Sequence, residues 1–227
     1  MPARLPPGWL PVALLALACT ALSGLFPGMP FAAYYGPLPA LAGTAFAALL
    51  AGFGLASLHR DDWIAARPTR GRARLLIPAV GLAFALPTVT VDIIAPWPPT
   101  INVTLPQGLL FYISIALTAE AVFHVVPLAL LLGLASRLRP RLRLFWPAAA
   151  IAACAEPAFQ IALGRDPATP LWRDLFLGLN LAGFALAQFA LLRRYGLLGA
   201  YGARLGYYAL WHITWGSARL PLLFAPE

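Results

Sequence analysis

Glu120, His124, Glu156 and His212 are of the types that bind zinc or carry protons, and each of the four sits inside an apolar run. Glu120 and His124 are four residues apart, and so are Arg204, Tyr208 and His212, so each set shares one face of a helix. Asn180 is a neutral companion on a further apolar run. An ionisable group in hydrocarbon costs about 2.5–3.5 kcal/mol on insertion scales, so each needs a partner or a task. Three chemistries fit. Glu120, His124, Glu156 and His212 make an acceptable zinc ligand set. Carboxylates and imidazoles of this kind also relay protons through transporters. In the plainest case Glu156 neutralises Arg204, and the histidines bond to backbone or hydroxyl groups in a structural polar core.

Such residues need elements to hold them, and the composition says which. Of 227 residues, 61% are hydrophobic and only 11% charged, with a mean hydropathy of +0.78; a soluble domain carries roughly 25% charged residues. The apolar runs are continuous rather than alternating, which argues for helices and against a barrel. The expected fold is all-α, a polytopic transmembrane bundle forming a single membrane domain over residues 1–227. About seven spans of roughly 20 residues fit, at 9–25, 37–58, 75–95, 108–135, 144–163, 175–192 and 196–215. Pro78, Pro87, Pro127, Pro147 and Pro157 fall inside them and predict kinks. At about 1.5 Å per residue from the arginine-rich side, His124, Glu156, Asn180 and Tyr208 lie at roughly 18 Å, Glu120 and His212 at roughly 24 Å and Arg204 at roughly 12 Å. Polar groups from four helices thus meet near one midplane.

All 16 basic side chains are arginine, and the net charge is +8. In a soluble protein that would suggest nucleic acid, but here the arginines lie between spans and no nucleic-acid partner is expected. Twelve fall on one side: Arg4, then Arg60, Arg67, Arg70, Arg72 and Arg74, then Arg137, Arg139, Arg141 and Arg143, then Arg193 and Arg194. Arg165, Arg173 and Arg219 fall on the other, offset by Asp166, Asp174 and Glu227. The split predicts a cytoplasmic N-terminus and an external C-terminus. The run Arg137–Arg143 reads as a topology determinant, with anionic-lipid contact second. The first span also has the form of a signal peptide, with Arg4 ahead of it and Ala16-Leu17-Ala18-Cys19 within it, but retention is expected. Asp92, near the end of the third span, is expected to reach the interface. Cys19 and Cys154 read as packing residues, Gly202 and Gly206 as a close helix contact, and Asn102-Val103-Thr104 as a chance match to a glycosylation pattern.

Four blocks in the second half carry a family resemblance. They are Ile115-Ala-Leu-Thr-Ala-Glu-Ala-Val-Phe-His124, Ala150-Ile-Ala-Ala-Cys-Ala-Glu-Pro157, Leu179-Asn-Leu-Ala-Gly183, and Arg193-Arg-Tyr-Gly-Leu197 running on to His212. In order and spacing they resemble the motifs of the CAAX prenyl protease and bacteriocin-processing (CPBP, Abi) intramembrane proteases: Glu-Glu-x-x-Phe-Arg, Phe-x-x-x-His, an Asn/Gly helix, and His-x-x-x-Asp/Asn with a later His. The resemblance covers about residues 108–215, a four-helix core preceded by three spans within 1–107.

In that family a Glu and two His activate water, by metal binding or as general bases, while the Asn stabilises the oxyanion. The resemblance places this site on Glu120, His124, Glu156, Arg204, Tyr208 and His212. The departures are chemical. The first motif Glu is Ala119, the motif Arg is His124, one His is Glu156, the other is Arg204, and the Asp/Asn is Tyr208. A cationic Arg204 repels a metal and suits Glu156 as an ion-pair partner. The expectation is a catalytically degenerate pseudo-protease without cofactor, in the bilayer of a bacterial plasma membrane. Its cavity would bind or scaffold another membrane protein or a peptide segment. The competing readings are an active CAAX-type metalloendopeptidase, with Glu120 as base and zinc held by His124, Glu156 and His212, and a proton-coupled transporter relaying through Glu120, His124 and Glu156.

Overall fold

The computed structural model describes residues 8–65, 67, 69–135, 144–164 and 170–224. Arg4, Arg137–Arg143, Arg165, Asp166 and Glu227 lie outside the described residues. Among those described there are helices and no strands. The helices are α1 (Trp9–Ser23), the short α2 (Ala32–Tyr35), α3 (Ala40–Arg60), α4 (Ala73–Ile94), α5 (Gln107–Ala135), α6 (Phe145–Ala152), α7 (Ala155–Gly164), α8 (Leu171–Tyr195), α9 (Leu197–Tyr208) and α10 (Gly216–Leu223). α9 runs into α10 through a π-helical stretch, Ala209–Trp215.

α3, α4, α5 and α8 are long and apolar enough to cross a membrane, and α1 is a shorter apolar helix. At about 1.5 Å per residue the four long helices each reach about 30 Å or more, the depth of a hydrocarbon core. Their outer faces carry large apolar side chains: Phe53 is 75% exposed and Leu75 and Leu179 76%. Water does not tolerate such a surface and lipid does, so the chain is an integral membrane protein.

The prolines explain where helices bend or break. Pro157 has no N–H for the carbonyl of Ala153, four residues back, and its ring crowds that carbonyl. The apolar run 144–163 accordingly breaks between α6 and α7, which places Pro157 in the first turn of α7, where proline is accepted. Pro127 in α5 likewise removes the donor for Phe123, and the turns just before it widen into a π-helix over Glu120–Val125.

α5 runs through the middle of the bundle. α1 and α3 pack on it through a core that includes Ala16, Ala51, Leu55, Leu117 and Val125. A second core around Ile77, Phe184, Tyr207 and Trp211 joins α4, α8 and α9. Glycines bring α4 and α9 together: a Cβ on Gly206 would meet the backbone of Pro78, and one on Gly81 would meet the carbonyl of Ala203. The Gly202/Gly206 pair therefore serves packing within the chain.

Two expectations change. Asp92 does not reach the interface: it is fully buried, with Nε of Arg219 2.6 Å from one oxygen and Nη2 2.7 Å from the other. Trp97 N–H and the Trp215 indole N–H complete its shell. Cys19 is a buried packing residue as expected, whereas Cys154 is exposed; both are free thiols.

Candidate functional site

Arg204 on α9 is 2% exposed and lies at the centre of the bundle's polar cluster. Its neighbours Ala203 and Gly206 are small and pack against α4, which fixes α9 with the guanidinium turned toward α5 and α7. Nε–H donates to Glu120 Oε1 at 2.6 Å. Nη1 donates to Glu156 Oε1 at 2.9 Å and Nη2 to Glu156 Oε2 at 2.7 Å, the two-point geometry that a planar guanidinium makes with a carboxylate. The remaining N–H groups reach Tyr208 Oη at 3.3 Å, and His124 Nδ1 and Gln188 Oε1 at 3.3 and 3.4 Å. All five donors of Arg204 thus have acceptors.

The two carboxylates come from unusual backbone. Glu156 sits in the first turn of α7, where the helix dipole favours an anion, and Gln160 one turn on donates to it at 3.4 Å. Glu120 and His124 both lie on the π-helical stretch of α5, and His212 lies on that of the last helix. Such wide turns recur at functional sites. Gln188 of α8 donates to both Glu120 Oε1 and Ala200 O, a buried amide that ties three helices together. Oε2 of Glu120 and Nε2 of His124 are buried without a hydrogen-bond partner, and Oε2 is in ion-pair range of His124 Nδ1, at 3.5 Å.

Glu120, His124, Glu156, Arg204 and Tyr208 are therefore brought together, and the Glu156–Arg204 pair expected from their charges is present. His212 takes a separate position. Its ring stacks on Tyr112 at 4.4 Å and meets Tyr208 edge-on at 4.9 Å, and Nδ1 is 2.6 Å from Asn102 Oδ1. Asn102, part of the glycosylation-like triplet, is 9% exposed and occupied in this way. Asn180 bonds to Phe84 O and Thr88 Oγ1 at 3.1 Å each, joining α8 to α4 outside the cluster.

Zinc does not fit these residues. The guanidinium occupies the space between Glu120 and Glu156 that a cation would need. Among the described residues no group of three or more His, Cys, Asp or Glu side chains converges as a ligand set.

Beside the cluster is a cavity of about 350 Å³. Glu156, Arg204, Tyr208 and His212 form its polar side, and Trp97, Phe159, Tyr207 and Trp211 supply aromatic walls. One edge of this cavity is held by two arginines whose partners lie far away in the sequence. Arg173 Nη1 donates to the carbonyls of Ala95 and Pro96, and Arg219 donates to those of Trp97 and Pro98, so two arginines bind four successive carbonyls of the loop that carries Trp97. Gln188, Asp92 and Arg219 had one available signal: each is polar within or beside an apolar run and needs a partner.

No protein-family model matches the chain, and neither a curated protein nor a solved structure does.

Proposed function

We propose that the chain is a CPBP-type protein of the bacterial plasma membrane in which the catalytic centre has become an ion-pair network. The adjoining cavity is left as a binding or scaffolding site for a peptide segment or another membrane protein. The supporting observation is the place of Arg204, with one carboxylate in a two-point grip and a second on its Nε. In the family pattern that position holds a metal-binding or basic His; here a permanent cation grips both oxygens of Glu156 and one of Glu120 instead. The topology that goes with this reading has seven spans, a cytoplasmic N-terminus and an external C-terminus.

Elemental mass spectrometry of detergent-purified protein tests it, with Arg204→His in parallel. The expected result is no stoichiometric zinc in the wild type. Near-stoichiometric zinc would overturn the reading and favour an active metalloendopeptidase. Zinc gained by Arg204→His would show that the ancestral ligand geometry persists. The competing protease reading draws on Oε2 of Glu120, which has no hydrogen-bond partner and lies beside His124. It requires peptide cleavage by the wild type and its loss in Glu120→Gln.

A further inference from the structure

A second groove lies on the outer face of the bundle, between α4 and α9 and apart from the cavity beside Arg204. We propose that it holds one acyl chain of an anionic phospholipid, with the lipid phosphate on the guanidinium of Arg74.

The shape follows from small residues. α4 and α9 start at the same end of the bundle and run side by side, with Ile77 against Gly202 and Pro78 against Gly206. Neither glycine has a side chain, so the seam stays open as a groove of about 440 Å³, walled by Leu198 and Leu205 and continued to Ala209. From Leu198 to Ala209 is about 16 Å along the helix, which is half of a hydrocarbon core of about 30 Å. The apolar stretch therefore has the depth of one leaflet and suits a single chain entering from one surface.

The charge lies at one end. Thr69 and Arg74 line the groove where α4 begins. Arg74 is exposed, and its Nε donates to the carbonyl of Thr69 at 3.3 Å, which holds the guanidinium at the rim. Arg70 and Arg72 are exposed beside it. No Asp or Glu occurs in residues 63–91 or 175–226, so the one carboxylate on either helix is Asp92, at the far end of α4 and held by Arg219. Both helices also turn their dipole-positive ends to this rim. A planar guanidinium fits the oxygens of a phosphate. A positive rim over an apolar groove one leaflet deep is complementary to a phosphate joined to an acyl chain. A soluble anion would leave the groove empty, and a zwitterionic headgroup brings a cation that the arginines repel.

A phosphatidylglycerol with a diazirine in one acyl chain is photo-crosslinked to the full chain in maltoside micelles, and the labelled residues are mapped by peptide mass spectrometry. Labelling is expected at Leu198, Leu205 and Ala209. Dioleoylphosphatidylglycerol should suppress it at about fivefold lower concentration than dioleoylphosphatidylcholine, the effect of one arginine at a lipid surface. Inorganic phosphate at matched ionic strength should not suppress it. Arg74→Gln should erase the preference between the two lipids, whereas Arg60→Gln, whose guanidinium is paired with Asp61, should keep it, with thermal midpoints reporting the fold. Ala209→Phe, at the exposed far end of the groove, should lower labelling at Leu198 and Leu205. Labelling spread over the outer surface, equal suppression by the two lipids, suppression by phosphate, or a preference that survives Arg74→Gln would overturn the proposal. None of these outcomes bears on the reading of the cavity beside Arg204.

Discussion

The guanidinium of Arg204 and the carboxylate of Glu156 meet in a two-point fork, with hydrogen bonds of 2.9 and 2.7 Å between α9 and α7. Both groups are buried, so the pair is costly to desolvate and still more costly to break. Arg204→Met strands two carboxylates and should destabilise the protein by about 3–5 kcal/mol. Replacing Arg204, Glu120 and Glu156 together with apolar residues of similar volume should regain much of that loss. Denaturation in detergent checks both. A single variant as stable as wild type would mean that the network does not hold α5, α7 and α9 together.

The second buried pair makes a sharper structural prediction. Asp92 accepts from Arg219, Trp215 and the backbone of Trp97, so Asp92→Ala leaves Arg219 buried with only carbonyl partners. The expected cost is again about 3–5 kcal/mol. Hydrogen exchange should also quicken in α10 and in residues 95–101, while α1 and α3 keep their protection. Uniform loss of protection would show that this pair is part of the global core.

Close packing of α4 on α9 can be tested with single methyl groups. Gly81→Ala and Gly206→Ala place a Cβ against the backbone of the facing helix, which cannot yield as a side-chain tip can. Each should destabilise by about 1–3 kcal/mol or more. Gly133→Ala in α5 meets nothing within 4 Å and should be neutral or stabilising. A drop in thermal midpoint for Gly133→Ala equal to that of the other two would contradict the packing account.

The proposed orientation rests on the arginines. Of those assigned to the external side, Arg219 is consumed by Asp92 and Arg173 is nearly buried against the carbonyls of Ala95 and Pro96. Setting those two aside leaves a sequence split of twelve arginines against Arg165 alone. Reporters fused to the two ends should place the N-terminus in the cytoplasm and the C-terminus outside. Both ends on one side would require an even number of spans.

Much of this was readable before any tertiary structure. An ion inside an apolar run must find a counter-ion, so Glu156 and Arg204, of opposite charge on different helices and about 6 Å apart in depth, were natural partners. Helical periodicity likewise put Arg204, Tyr208 and His212 on one face, and the small residues at 202 and 206 marked a close helix contact. These inferences are local: they depend on residue type, rise per residue and the cost of desolvation.

Which of several partners a group takes is not local. Asp92 looked interfacial from its place at the end of an apolar run, but the loop beyond it folds back and the last helix continues far enough to deliver Arg219. His212 shares a face with Arg204 yet bonds to Asn102, because that same returning loop brings the amide to it. Glu120 shares Arg204 with Glu156, and Gln188 completes the shell, because α5 widens into a π-helix and α8 rotates its amide inward. Helix rotation, wide turns and loop return are set by packing over the whole chain. They decided that a set of residue types suited to zinc became an ion-pair network beside an aromatic cavity.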